Sequence, residues 1–186
     1  MNIAVYSGSF NPLHIGHLAI IRHMIEVAGF DMVYLIVSPK NPLKDGISSE
    51  SGAERYHAAV AAVQRRGLTQ KVKVDDIELN MPEPHYTIRT LDALKQREPE
   101  NDFTLIMGAD NLDSIRRWRD YSRILKEFGT AVFPRTGFDL DIIKTGLLKE
   151  DREYKITLLN AEMVDMSSTI IREASASGQD VSSWLM

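Results

Sequence analysis

The stretch Ile3-Ala4-Val5-Tyr6-Ser7-Gly8-Ser9-Phe10-Asn11-Pro12-Leu13-His14-Ile15-Gly16-His17 reads as a strand, a turn and the start of a helix. Ile3 to Tyr6 is short and apolar, as a strand covered on both faces should be. Gly8 lets the backbone come close to a ligand, and Pro12 stiffens the turn. Leu18, Ile21, Met24, Ile25 and Ala28 then recur at three- and four-residue spacing, with Gly29 as a stop signal. A strand feeding a helix through such a turn aims free N–H groups at the strand end, a ready site for phosphate. His14 and His17, three apart, can both face that site from the first turn.

The alternation continues. Met32–Val37, Val72–Leu79, Phe103–Met107, Thr130–Phe133 and Ile156–Leu159 carry the strand signature. Between them lie helical patterns: from the Ser51–Glu54 capping box to about Arg66, Thr87–Lys95, Asp110–Phe128 with Gly129 after it, and Ser167–Ala176. A short helix over Asp141–Leu148 fits the stretch between Thr136 and Tyr154. Residues 39–50 and 80–85 are polar loops. This order predicts an α/β fold: a doubly wound, mostly parallel, Rossmann-like sheet flanked by helices. Ligands of such sheets bind at the carboxyl ends of the strands, where the strand order reverses.

Composition sets the outer limits. The 186 residues suit a single domain over 1–186 that holds a core without staples. There is no cysteine, which removes disulfide scaffolds, thiol nucleophiles and zinc ribbons. The net charge of −4 gives no basic face for nucleic acid or an anionic membrane. No signal peptide leads the chain and no apolar run approaches a membrane span, so the expected location is cytoplasmic. His23 and His57 read as surface helix residues, and a zinc site on His14 and His17 would need a third ligand that the spacing does not offer. No Gly-x-Gly-x-x-Gly follows the first strand, which speaks against a dinucleotide oxidoreductase.

The pattern Gly-x-Phe-x-Pro-x-His-x-Gly-His resembles the signature of the nucleotidylyltransferase superfamily. Asp165-Met166-Ser167-Ser168-Thr169-Ile170-Ile171-Arg172, near the other end of the chain, resembles that superfamily's Ser-Thr-x-x-Arg element. Taken alone, its three hydroxyl residues are plain N-capping candidates. Pro84-His85-Tyr86-Thr87-Ile88-Arg89-Thr90-Leu91, Gly108-Ala109-Asp110 with Trp118, and more loosely Phe133–Phe138 resemble segments of the bacterial nicotinate-nucleotide adenylyltransferases. The chain departs from that pattern at Ser9, at Asn11 and at Leu43, where the family has a histidine.

The resemblance implies transfer of AMP from ATP to nicotinate mononucleotide, giving deamido-NAD and pyrophosphate. On it, His17 and His14 are catalytic, donating hydrogen bonds to the phosphates. Gly8, Ser9, Phe10, Gly108 and Asp110 complete the ATP site with Ser167, Ser168, Thr169 and Arg172. Lys44, Tyr86, Thr87 and Trp118 hold the mononucleotide: Lys44 its phosphate, the Tyr86 and Thr87 N–H groups its carboxylate, and Trp118 its ring. Mg²⁺ accompanies ATP, with no metal held by a protein cage. Neither nucleic acid nor membrane is an expected partner, and self-association is left open. Nicotinamide mononucleotide or phosphopantetheine as acceptor, and a nucleotide sensor without turnover, stay as alternatives.

Overall fold

The structure is a computed structural model that describes residues 1–39, 51–161 and 166–186. Strands β1 (Asn2–Gly8), β2 (Met32–Val37), β3 (Val72–Asp75), β4 (Asp102–Gly108), β5 (Thr130–Phe133) and β6 (Ile156–Leu158) form one sheet, in the order β3-β2-β1-β4-β5-β6. Every pairing is parallel, with Tyr6 beside both Leu35 and Ile106. The order reverses between β1 and β4, so their carboxyl ends mark the ligand crevice.

Helices α1 (Ile15–Glu26), α2 (Gly52–Arg65), α3 (Thr87–Arg97), α4 (Ala109–Asp113), α5 (Tyr121–Arg123), α6 (Leu140–Glu150) and α7 (Ser168–Ala176) surround the sheet. Strand residues alternate between two cores. Ala4, Tyr6, Leu35 and Ile106 pack with Ile21 and Met24 of α1 and Ala62 of α2. Ile3, Val5, Ile36 and Leu105 pack with Leu91 and Leu94 of α3 and Leu112 of α4 on the opposite face. Each fully buried Leu or Ile contributes about 1.5–3 kcal/mol, which is why strands covered on both faces read as continuous apolar runs.

Two expected elements differ. The strand expected over Val72–Leu79 stops at Asp75, because the Asp75 carboxylate turns back to accept the Ile77 N–H at 3.0 Å. A 3₁₀ turn follows at Ile77–Asn80. The single helix expected over Asp110–Phe128 is broken: α4 gives way to a 3₁₀ turn at Ile115–Arg117, Trp118 is extended, and Asp120 is left-handed at φ 51°. Only then do α5 and a π-helical turn at Ile124–Phe128 resume. Apolar periodicity survives the break, with Leu112, Ile115, Ile124 and Leu125 all buried. Among the described residues no helix is long and apolar enough to cross a membrane.

Candidate active site

The histidine loop leaves the end of β1 and enters α1 at His14, the helix N-cap. His14 Nδ1 accepts the Gly16 N–H at 3.1 Å, and His17 Nδ1 accepts the His14 N–H at 3.2 Å. This is a capping box built from two imidazoles, where a hydroxyl and a carboxylate are usual. Both Nδ1 atoms act as acceptors, so each neutral ring carries its proton on Nε2 and offers it as a donor. The rings lie 3.7 Å apart. A Cβ on Gly16 would come within 3.0 Å of the His14 ring, so any larger residue would push the imidazole aside.

Charge is unwelcome on these rings. Burial, reinforced by the charge of Arg135, holds His14 down at about 4. Burial again, then His14 and Arg135, hold His17 at about 3. Phe10 supports the pair from below. It is buried at φ 45°, a left-handed backbone rare outside glycine, with its ring edge-on to His17 at 5.3 Å and to Tyr6 at 5.5 Å. Packing on both sides holds that strained residue in place.

Helix α7 brings the second motif onto this loop. Ser168 Oγ donates to the Pro12 carbonyl at 3.2 Å, and Arg172 Nη1 donates to the Asn11 carbonyl at 2.7 Å. A second Arg172 nitrogen donates to Thr169 Oγ1 at 3.1 Å. Ser167 caps the helix, accepting the Ile170 N–H at 3.2 Å. The two ends of the chain thus meet at one place, as their motifs predict. Ser168 and Arg172 make bonds to the loop backbone that the motif reading did not assign them.

At the end of β4, Asp110 opens α4 and faces Arg135, Oδ1 to Nε 3.8 Å. A Cβ on Gly108 would sit 3.2 Å from Arg135 Nε and 3.1 Å from the Phe133 ring, so glycine makes room for this pairing. Tyr86, 43% exposed, is the N-cap of α3 without a side-chain bond, and Thr87 is its first residue. Trp118 is half-buried and packs against the core face that holds Leu112 and Ile115. Lys44 and Asp165 lie outside the described residues. His57 is exposed as expected, whereas His23 is half-buried.

Two cations at the site went unassigned in the sequence. Arg135 stands two residues beyond β5, whose Phe133 pairs with Gly108; a charge just past the carboxyl end of a strand beside β4 was the available signal. Arg55 is only 3% exposed, and its guanidinium donates to the Ser9 carbonyl at 2.6 Å and to the Pro39 carbonyl at 2.8 Å. An arginine in the buried row Arg55, Ala59, Ala62, Val63 of α2 was the signal there. Among the described residues no group of three His, Cys, Asp or Glu could hold a metal ion.

This geometry, two neutral imidazole donors under a helix N-terminus with two cations close by, suits a polyanion with developing phosphate charge. The family model described as cytidylyltransferase-like matches residues 5–174. A probable nicotinate-nucleotide adenylyltransferase of Flavobacterium johnsoniae is 36% identical over 97% of this chain and 90% of its own length. One from Flavobacterium psychrophilum is 39% identical over 93% of this chain and 86% of its own. Among solved structures, the Plasmodium falciparum nicotinic acid mononucleotide adenylyltransferase complexed with NaAD superposes with a TM-score of 0.76 at 18% identity. That match covers 97% of this chain and 86% of that one.

Proposed function

The chain belongs to the cytidylyltransferase-like family and, within it, to the nicotinate-nucleotide adenylyltransferases, and from that premise we propose that it transfers AMP from ATP to nicotinate mononucleotide. The observation that carries the mechanism is the pair of Nδ1-accepting histidines. An oxygen of the mononucleotide 5′-phosphate attacks the α-phosphorus of ATP. The bond from that phosphorus to the bridging oxygen breaks, and pyrophosphate leaves with the electron pair. Deamido-NAD is the other product. No proton has to be taken from the nucleophile, because a phosphate oxygen is already anionic. Catalysis is therefore positioning and charge stabilisation.

His17 and His14 donate Nε2–H to the α-phosphate and triphosphate oxygens as charge shifts between them. Gly8, Ser9 and Phe10 supply the backbone bed. Ser167, Ser168, Thr169 and Arg172 receive the departing pyrophosphate, and Asp110 bonds the ATP ribose. Arg135 adds a positive charge near the imidazoles without protonating them. Of the two N–H groups expected to meet the nicotinate carboxylate at the start of α3, that of Tyr86 donates to the Pro84 carbonyl at 3.1 Å, so the Thr87 N–H is the donor kept for that role; Trp118 takes the pyridinium ring, and Lys44 the 5′-phosphate.

The donor set fits magnesium that arrives on ATP and keeps most of its waters: a lone Asp110 carboxylate and a few hydroxyls offer hard oxygens without a closed cage. When bound, the ion neutralises phosphate charge. The expected setting is the cytoplasm, where ATP is supplied.

The test is pyrophosphate release from ATP and Mg²⁺ with nicotinate mononucleotide, nicotinamide mononucleotide and phosphopantetheine in parallel. We expect the nicotinate compound to be preferred by about tenfold or more, roughly 1.4 kcal/mol of discrimination. His17→Ala should lower kcat by about a hundredfold or more, the usual cost of a lost oxyanion donor, with folding intact. Equal rates with acid and amide would remove the carboxylate role of α3. Near-normal turnover in His17→Ala would remove the histidine from the mechanism.

A further inference from the structure

The far end of the chain is built into the histidine loop. After the 3₁₀ turn Ser182–Trp184, Leu185 is extended and forms an antiparallel bridge with His14. The Met186 N–H donates to the Leu13 carbonyl at 3.2 Å. The Met186 side chain, 3% exposed, joins the core group that contains Phe10, Leu13 and Leu18. Two arginines at the end of α2 hold the pair from behind: Arg65 donates to the Met186 carbonyl oxygen at 3.0 Å and Arg66 to that of Leu185 at 2.8 Å.

The bridge to Leu185 falls on His14, the residue whose backbone N–H donates to His17 Nδ1. His14 is held on its N–H side by the His17 ring, on its side chain by Gly16, and along its backbone by Leu185. Core contacts and the two arginines therefore restrict where the loop can carry its imidazoles. In a reaction driven by placement, a shift on the order of 1 Å costs about a hundredfold.

We propose that Leu185–Met186 is a positioning segment for the histidine loop, fixing His14 and through it His17 for the transfer reaction proposed above. The segment acts through the loop and is not itself catalytic. It rests on that functional reading only for its effect on turnover.

Two readouts test it on the full chain. Met186→Ala should lower kcat about tenfold while the KM for ATP changes less than about threefold, and Met186→Leu should restore it. Amide exchange in the Leu13–Gly16 segment should rise about tenfold or more in Met186→Ala, with α3 unchanged. Leu94→Ala serves as the control, since it opens a cavity in the opposite core and should lower the melting temperature without either effect. An unchanged loop exchange in Met186→Ala would overturn the proposal. So would a Leu94→Ala protein that loses kcat as steeply as Met186→Ala. Because exchange needs no substrate, it decides the segment's role even in a protein that fails the pyrophosphate assay.

Discussion

His14 and His17 pay for their place with a loss of basicity, since each buried ring resists a second proton while its Nδ1 is already committed to a backbone N–H. The linkage has a definite sign. Their folded values of about 4 and about 3 lie below the ordinary 6.5, so the unfolded chain binds protons that the folded chain refuses. Their contribution to stability is complete above about pH 6.5 and is lost as the pH falls from there toward about 4 for His14 and about 3 for His17, by up to about 1.4 kcal/mol per pH unit for each ring. The melting temperature should therefore fall between pH 7.5 and pH 5.5, a window that most carboxylates leave untouched. His17→Gln should show a smaller fall over the same interval. Parallel falls in the two proteins would mean that the His17 ring titrates normally in the folded state.

Strand β3 ends where a buried charge takes over from the ladder. Burial alone would raise the Asp75 carboxyl, but hydrogen bonds and charge from Arg97, with Lys73 adding to them, outweigh it and the net shift is downward. Arg97, on α3, donates to both carboxylate oxygens, at 3.1 and 2.6 Å. Arg97→Met should cost about 1–2 kcal/mol, less than stranding a partner of a fully buried pair, because the Arg97 side chain is 37% exposed and Lys73 stays within 3.1 Å of Asp75. Urea unfolding reads this directly, and adding Asp75→Asn should recover most of the loss. A single variant within about 0.5 kcal/mol of the unsubstituted protein would show that Arg97 contributes little. The same pair explains what the sequence could not show. β-branched runs and helical periods made all six strands and the main helices legible, since those signals are local. The Asp75 carboxylate that turns back at the end of β3 is paired with an arginine at the far end of α3. Likewise the break at Trp118 and Asp120 interrupts a run whose apolar spacing never falters, and Arg116 bonds across to Glu150 of α6 beside it. The site divides along the same line. The glycines, histidines and hydroxyls of the two motifs were legible because each motif is contiguous. Arg55, Arg135 and the Leu185–Met186 segment were not, because only tertiary contact puts them there.

Across the whole molecule, the proposed transfer needs the segment after β1 and the segment after β2 held in register, and the two strands lie side by side in the sheet. The sheet spaces the strand ends, but a parallel ladder stops at Gly8 and Val37 and leaves the loops beyond it to other bonds. Ser38 N–H reaches back to the Gly8 carbonyl at 3.0 Å, and the Ser7 and Ser38 hydroxyls lie 3.0 Å apart. Arg55 supplies the longer tie, since one guanidinium donates to the Ser9 carbonyl of the first loop and to the Pro39 carbonyl of the second. A planar fork is suited to that geometry in a way a lysine ammonium is not. Arg55→Met keeps the apolar stem and removes both bonds, leaving two carbonyls without that donor. If the arginine sets the spacing between donor and acceptor loops, kcat/KM should fall for ATP and for the mononucleotide together, by about thirtyfold, as expected of a loss of about 2 kcal/mol in transition-state positioning. Arg55→Lys should recover only part of it. A variant that melts several degrees lower yet keeps both values of kcat/KM would show that the tie serves the core of α2 alone. A loss confined to one substrate would place the arginine on one loop and return the spacing of the two loops to the sheet itself.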